Sequence, residues 1–279
     1  MIMRIINLVE NTEGNRHCLF EHGLSFYVET RKHKLLVDTG ASCIFAENAR
    51  ILGVDLTQID MVFISHGHYD HTDGLPAFVR ENPDAKILMQ KLAKEAYYHK
   101  NKGMEKYIGM DPGIGGLLQA DLLEGDREID DEISLFTNVT GRKSWPAGNR
   151  ELKVKKNGEF YQDDFRHEQY LVITQNGKRI LMSGCAHNGI LNILERYREI
   201  YGKDPDAVIS GFHMRKKSGY TKEDIEMIKE TAGQLKKSSS IFYTGHCTGE
   251  HPYQLMKEIM GEKLVYVHSG DEVPLPYGC

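Results

Sequence analysis

The segment Ile59-Asp60-Met61-Val62-Phe63-Ile64-Ser65-His66-Gly67-His68-Tyr69-Asp70-His71-Thr72-Asp73-Gly74 sets three imidazoles and two carboxylates within eight positions, directly after a short apolar run. Met61 to Ile64 reads as a buried strand that empties into a loop. Imidazoles two residues apart at a strand end, His66 and His68, can converge on one divalent ion. Asp70 and His71 can turn toward a second ion beside it. Such a density of nitrogen and oxygen ligands points to a two-metal hydrolytic centre rather than to packing.

Outward from this loop the chain repeats the same device. Leu35-Leu36-Val37 runs out at Asp38-Thr39-Gly40, and Arg179-Ile180-Leu181-Met182-Ser183 at Gly184-Cys185-Ala186-His187. Ala207-Val208-Ile209-Ser210 runs out at Gly211-Phe212-His213, and Ser240-Ile241-Phe242-Tyr243 at Thr244-Gly245-His246-Cys247. Five apolar strands thus end in polar or metal-binding residues, the usual way to assemble a site from distant sequence on a rigid sheet. Asp38 is placed to orient a ligand histidine. His213 reads equally as core packing beside Phe212 or as a substrate contact and proton donor. Arg215 and Lys216 after it are a candidate phosphate clamp set against a solvated turn. Cys247 reads as structural. His22 in Glu21-His22-Gly23 and His251 lie near element ends from which they could approach the pocket, but they and His17, His33, His99, His167 and His268 carry no comparable context.

Between these motifs, Met1 to Val9, Leu24 to Thr30 and Lys34 to Val37 read as strands, Ile44 to Leu52 as a helix, and Asp73 to Arg80 as a helix with Asp73 near its cap. Ala85 to Met89 is a further strand. From about Gln90 to Glu168 periodicity is poor. Lys91 to Lys100 reads as a helix and Glu132 to Phe136 as a strand, the remainder being an irregular, aromatic and glycine-containing insertion over the site or a loose surface excursion. Gln169 to Thr174, Asn176-Gly177 and Arg179 to Ser183 form a hairpin signal. Helices follow at Ile190 to Tyr201, at Thr221 to Lys236 with Asp224 completing a capping box, and from Pro252. Leu264 to Val267 closes the series as a strand.

Composition sets the outer limits. The 279 residues are 40% hydrophobic and 27% charged, with a formal charge of −5 and a pI near 6.2. This suits a soluble globular chain and argues against a broad polyanion-binding surface, so nucleic acid is disfavoured as a partner. No apolar run is long enough to span a membrane, and the N-terminus does not read as a signal peptide. Cys18, Cys43, Cys185, Cys247 and Cys279 are odd in number and scattered, which favours reduced thiols and a cytoplasmic setting.

The run from His66 to His71 after a strand, with Leu35 to Gly40 upstream, resembles the metallo-β-lactamase-fold superfamily. The later motifs around Cys185-Ala186-His187, Gly211-Phe212-His213 and His246-Cys247 are similar to its 7,8-dihydropterin-6-ylmethyl-4-(β-D-ribofuranosyl)aminobenzene 5′-phosphate synthase-like branch. The resemblance covers most of the chain outside the region from about 90 to 168. It implies one α/β domain over residues 1–279, an αββα sandwich with metals at one edge of its two sheets. It also implies that His66, His68 and His187 hold one ion and Asp70, His71 and His246 the other. Many relatives carry a bridging aspartate where Cys185 stands here, so Cys185 is either a thiolate ligand or a neighbour of the ligands.

The activity expected is metal-dependent hydrolysis, with hydroxide held by two divalent ions, zinc or else iron or manganese. Asp70 would orient the attacking group and His213 would supply a proton. The substrate expected is a small anionic, phosphorylated or other ester-type molecule. Transfer between a pterin and a ribosyl-aminobenzene phosphate is the alternative of the resembled branch. A non-catalytic metal- or ligand-binding protein is the third reading. Flavodiiron-type oxidoreductases are disfavoured because they place glutamate where His68 stands, and processing nucleases because no basic RNA-binding arm is seen. Substrate, metal identity and oligomeric state are left open.

Overall fold

A computed structural model describes residues 3–14, 16–116 and 120–275. Strands β1 (Arg4–Val9), β2 (Ser25–Glu29) and β3 (Lys34–Val37) form an antiparallel meander. Helix α1 (Ile44–Ile51) then leads to β4 (Met61–Phe63). The single turn α2 (Tyr69–Thr72) and helix α3 (Leu75–Glu81) precede β5 (Lys86–Gln90). Next come β6 (Ala96–Asn101), β7 (Met104–Tyr107), β8 (Ala120–Leu123), β9 (Arg127–Glu128) and β10 (Ile133–Phe136). After them run β11 (Leu152–Lys156), β12 (Glu159–Gln162), β13 (Tyr170–Gln175) and β14 (Lys178–Met182). The remainder alternates: α4 (Ile190–Tyr201), β15 (Ala207–Ile209), α5 (Lys222–Leu235), β16 (Ile241–Thr244), α6 (Glu250–Met260) and β17 (Leu264–Tyr266).

Two mixed sheets face each other, in the orders β1-β2-β3-β4-β5-β8 and β17-β16-β15-β14-β13-β10-β9. Their inner faces meet in one apolar layer: Ile5, Phe26, Val28, Val37 and Phe63 pack with Leu135, Ile173, Ile180, Ile209 and Tyr243. Alternate residues on the same strands point outward, as the period of two requires. Ile6, Leu36 and Val62 meet Phe45 of α1 and Phe78 of α3. Val172, Leu181, Val208 and Phe242 meet Ile193, Ile228 and Met256 of α4, α5 and α6. The result is the αββα sandwich. Its helices form for local reasons as well. Ile190, Ile193, Leu194 and Tyr197 make one buried face of α4, which ends at Gly202 in the left-handed conformation (φ 73°). Thr221 and Asp224 make a reciprocal capping box on α5. At the tip of the β13–β14 hairpin, Asn176 and Gly177 take φ of 52° and 76°, the pair of positive values that a two-residue turn demands.

The region from about 90 to 168 departs from its sequence reading. Of the expected Lys91 to Lys100 helix only Lys91–Lys94 is helical, as a 3₁₀ turn, and Ala96 onward is β6. Lys, Ala and Glu favour a helix locally, but ladder pairing with β7 and β11 and the burial of Tyr97 win. Tyr97 points inward to stack on His167 (4.1 Å between ring centres), while Tyr98 lies edge-on to Tyr107 and Phe160. The stretch is also not an irregular insertion. β6, β7, β11 and β12 form a four-stranded sheet in the order β12-β11-β6-β7, while β8 extends the first large sheet and β9 and β10 extend the second. Two boundaries differ too. Asp73 ends α2 rather than starting α3, whose first turn follows Gly74. Helix α6 begins at Glu250, ahead of Pro252. Cys18, Cys43, Cys185 and Cys247 are free thiols, and Cys279, like Met1 and Ile2 of the expected first strand, lies outside the described residues. Among the described residues no helix is long and apolar enough to cross a membrane.

Candidate metal centre

The chain turns sharply at one edge of the sandwich. Asp38 follows β3 with φ 57°, Ala186 follows β14 with φ 52°, His213 follows β15 with φ 48°, and His246 follows β16 with φ 50°. Left-handed backbone is unfavourable for such residues and is held only where surroundings over-determine it. Each turn redirects a loop over the sheet edge, where the loops meet the His66–His71 segment leaving β4. Gly184 permits the closest approach, since a Cβ there would lie 2.2 Å from Ser65 Oγ.

The hydrogen bonds of the imidazoles decide which nitrogens face inward. Asp38 Oδ2 accepts from His71 Nδ1 (2.7 Å) and from Ser65 Oγ (2.7 Å), and Asp38 Oδ1 accepts from the Ser65 amide (2.7 Å). With its proton given to Asp38, Ser65 Oγ accepts from His66 Nδ1 (2.9 Å). Asn149 Oδ1 accepts from His187 Nδ1 (3.1 Å), and Asn11 Oδ1 from His246 Nδ1 (2.9 Å). In all four rings the Nε2 lone pair is therefore turned toward the common space.

That space has the character of a cation site. His66 Nε2 lies 3.1 Å from His68 Nδ1, and His246 Nε2 lies 3.3 Å from Asp70 Oδ2. His71 Nε2 stands 3.3 Å from Cys185 Sγ and 3.7 Å from Asp70 Oδ2. Ligands of one tetrahedral zinc-sized ion, at bonds of about 2.0–2.3 Å, stand about 3.3–3.8 Å apart. His187 Nε2, His246 Nε2 and His213 Nδ1 are buried without a hydrogen-bond partner, an arrangement that a native site tolerates when something else takes the lone pair. Ligand atoms of His66, His68 and His187 form one compact group, and those of His22, Asp70 and His246 another, each within 4.8 Å. Cys185 groups in the same way with His66 and His71, with His187 and His213, and with His246 and Cys247. The residues present fit a divalent ion.

Electrostatics agree for His66, His68 and His187. Burial, joined by mutual repulsion, pushes His66 and His187 well below the usual imidazole range, and His68 to about 3. These rings are neutral, the form that ligates. For His71, burial acts downward too, but the Asp70 and Asp38 carboxylates outweigh it and raise the ring to about 9. Burial acts upward on Asp70, yet His71 and His246 hold it well below the carboxylate range. Burial pushes the Cys185 thiol well up, so a cation would be needed to make it a thiolate.

The remaining sequence candidates divide. His213 is on the site side of its turn, its ring 4.1 Å from that of His187, while Phe212 alone fills the core. Cys247 Sγ accepts the His213 amide (3.3 Å). Arg215 is exposed and its charge reaches His22. Lys216 is tied to Asp224 of the α5 capping box, so the two do not form a clamp. Sequence reasoning passed over His22, whose Nε2 is 3.5 Å from Asp70 Oδ2, and His167, whose Nδ1 accepts the Gly67 amide (3.0 Å) while Nε2 meets Asp163 (3.1 Å). It also passed over Asn11, Asn149 and Glu168, ordinary polar residues without a motif. For His22 the signal was its place in Glu21-His22-Gly23, between two strands of one sheet.

With this geometry in place, comparison with known proteins is consistent. Residues 19–147 match the Metallo-beta-lactamase superfamily. The chain is 30% identical over 273 residues to the uncharacterized protein MJ0448 of Methanocaldococcus jannaschii, covering 94% of this chain and 96% of that one. It is also 30% identical over 295 residues to 7,8-dihydropterin-6-methyl-4-(beta-D-ribofuranosyl)-aminobenzene-5'-phosphate synthase of the same organism, covering 96% and 95%. Among solved structures, Tm1679, described as a metal-dependent hydrolase of the beta-lactamase superfamily, aligns with a TM-score of 0.80 at 30% identity over 97% of this chain and 98% of that one. Sandwich, strand-end site and relatives thus agree, and the chain belongs to the metallo-beta-lactamase superfamily.

Proposed function

We propose that the protein is a metal-dependent hydrolase with a dinuclear centre that takes a small anionic, ester-type substrate, phosphorylated esters being the first class to try. The reading is carried by the convergence of unpartnered Nε2 atoms of His187 and His246 on the same buried space as Asp70 and the His66–His71 loop. His66, His68 and His187 would hold one ion, and Asp70, His71 and His246 the other; the nitrogen and oxygen donors suit zinc, with iron and manganese also accepted. Ions bound there would supply Lewis acidity and a water of lowered pKa.

The chain's own groups do the rest. The free lone pairs of the Asp70 carboxylate accept a hydrogen bond from the attacking water and fix its direction. His213, half-buried beside His187 and with Nδ1 unpartnered, would give a proton to the leaving group. Arg215 adds a positive charge at the rim, which favours an anion. The free thiols suit a reducing cytoplasm, and a small molecule rather than a membrane or nucleic acid is the partner.

Metal analysis followed by assay of aryl phosphodiesters and thioesters tests this, with His68→Ala as the control. Full activity in that variant, or bound metal with no turnover across the panel, sinks the hydrolase assignment. A second reading is a synthase-type transfer on a pterin and a ribosyl-aminobenzene phosphate. It is favoured by the 30% identity to the protein that carries that name. Fluorescence titration with reduced pterins separates the two: saturable binding supports the synthase, its absence the hydrolase.

A further inference from the structure

The second ligand group holds one residue more than a two-ion hydrolytic site needs. We infer that His22 is a fourth protein ligand of the ion held by Asp70, His71 and His246, closing that position to substrate; the inference rests on the two-ion reading above.

The geometry is built rather than incidental. His22 Nε2 is 3.5 Å from Asp70 Oδ2. That is long for a charge-assisted hydrogen bond, yet it is the spacing of two ligands sharing one ion. Its ring stacks on that of His246, 5.3 Å between centres and 21° between planes, so both rings present an edge to the same carboxylate. The ligand atoms of His22, Asp70 and His246 lie within 4.8 Å of one another.

Both neighbours of His22 are pinned. Glu21 accepts from the Ala41 amide (3.0 Å) and from Ser42 Oγ (2.7 Å), and its own amide donates to Glu10 O (3.1 Å). On the other side, a Cβ on Gly23 would lie 2.8 Å from the Ala41 amide nitrogen and 3.2 Å from Asp70 O, so only glycine lets the backbone run this close. The next amide, that of Leu24, donates to Asp70 O (3.0 Å). The chain is thus bonded to the backbone of the residue whose side chain His22 faces. A loop fixed at both ends, with an imidazole aimed at a carboxylate, is the construction expected of a ligand.

A site with four protein ligands is closed and structural in character, while one with three keeps an open position. His66, His68 and His187 are three, with His213 beside them. The open position therefore belongs to that group, and substrate is met on the His213 side of the centre.

The test is titration of the metal-free full chain with Co²⁺, reading visible absorption and chelator competition in wild type, His22→Ala and Glu21→Gln. The side chain of His22 is half-exposed, and circular dichroism of each apo-variant checks that it folds. In His22→Ala the second equivalent is expected to bind at least about 10–100-fold more weakly and to lose the strong bands of four-coordinate Co²⁺, with the first unchanged. Glu21→Gln is expected to give a smaller loss at the same equivalent. Unchanged affinity and spectrum at both equivalents in His22→Ala overturn the inference. Asp70→Asn keeps the two readings apart: if wild type binds one ion only and Asp70→Asn leaves it untouched, the two-ion reading fails. His22 is then retained only if its own variant changes the spectrum of that single ion.

Discussion

His187 and His246 are far apart in sequence, yet the two halves of the centre hold them by the same three-bond clamp. Asn149 receives the Nδ1 proton of His187 and donates to its carbonyl (2.7 Å), while Glu168 accepts its amide (2.6 Å). Asn11 does the same to His246, through Nδ1 and the carbonyl (3.1 Å), with Glu10 accepting the amide (2.8 Å). The sources differ. Glu10 and Asn11 are consecutive at the exit of β1, part of the sandwich itself. Asn149 and Glu168 flank β11 and β12 of the added four-stranded sheet. One half of the centre is thus supported by the sandwich and the other by its addition, so the two can be loosened separately.

Removing a clamped ring is the strongest way to probe that division. His187→Ala and His246→Ala are each expected to lose one equivalent of metal, with affinity down by more than about 100-fold at one site, beyond what loss of an outer partner costs. Atomic absorption after gel filtration reads the stoichiometry, and loss of both equivalents in either variant would show that the halves are not separable. Next come the clamps. Asn149→Ala should weaken the His66/His68/His187 group by about 10–100-fold and spare the other, with Asn11→Ala doing the reverse. Two-step Co²⁺ titrations in which both variants weaken the same equivalent would break the comparison. Smaller still, Arg215→Ala, which removes an exposed charge that reaches His22, should raise KM for an anionic ester about 2–5-fold at unchanged kcat, the loss of one exposed ion pair. An effect on kcat would move Arg215 into the chemistry.

The smallest effect lies at the far end of β3 from Asp38. His33 bridges Asp60 and Asp130 (2.7 Å each), joining the edges of the two sheets. Burial lowers its pKa, but the bonds to Asp130 and Asp60 outweigh this and raise it. A raised histidine pKa stabilises the fold in full below the unfolded value near 6.5, and that stability is lost as pH rises through the folded value. Chemical denaturation of wild type from pH 6 upward should therefore show a decline of less than about 1 kcal/mol that is absent in His33→Ala, with metal content the same in both. A change in metal content would mean that the strand transmits strain to the centre.

The candidate ligands are legible because histidine, aspartate and cysteine at the ends of apolar strands are hard to explain otherwise. Their supports were not. Asn11 and Asn149 are ordinary polar residues whose meaning lies in partners 235 and 38 positions away. His22 is aimed by backbone contacts of Glu21 and Gly23, for which composition leaves no mark. The sandwich was readable from alternating strands and capped helices, whereas Lys91 to Lys100 misled because local helix propensity was overruled by cross-strand aromatic pairing. Lys216 misled because its partner, Asp224, was already recognised in another role.

The four left-handed corners after β3, β14, β15 and β16 make the sheet edge a ruler. β14, β15 and β16 are adjacent and parallel, so the loops carrying Cys185 and His187, His213 and His246 depart at intervals set by the strand spacing of about 4.8 Å. The distances among metal-binding groups are thereby inherited from main-chain hydrogen bonding, which side-chain substitution does not alter. Substitution at any one of these corners changes the chemistry at that mark while the scale itself stays fixed.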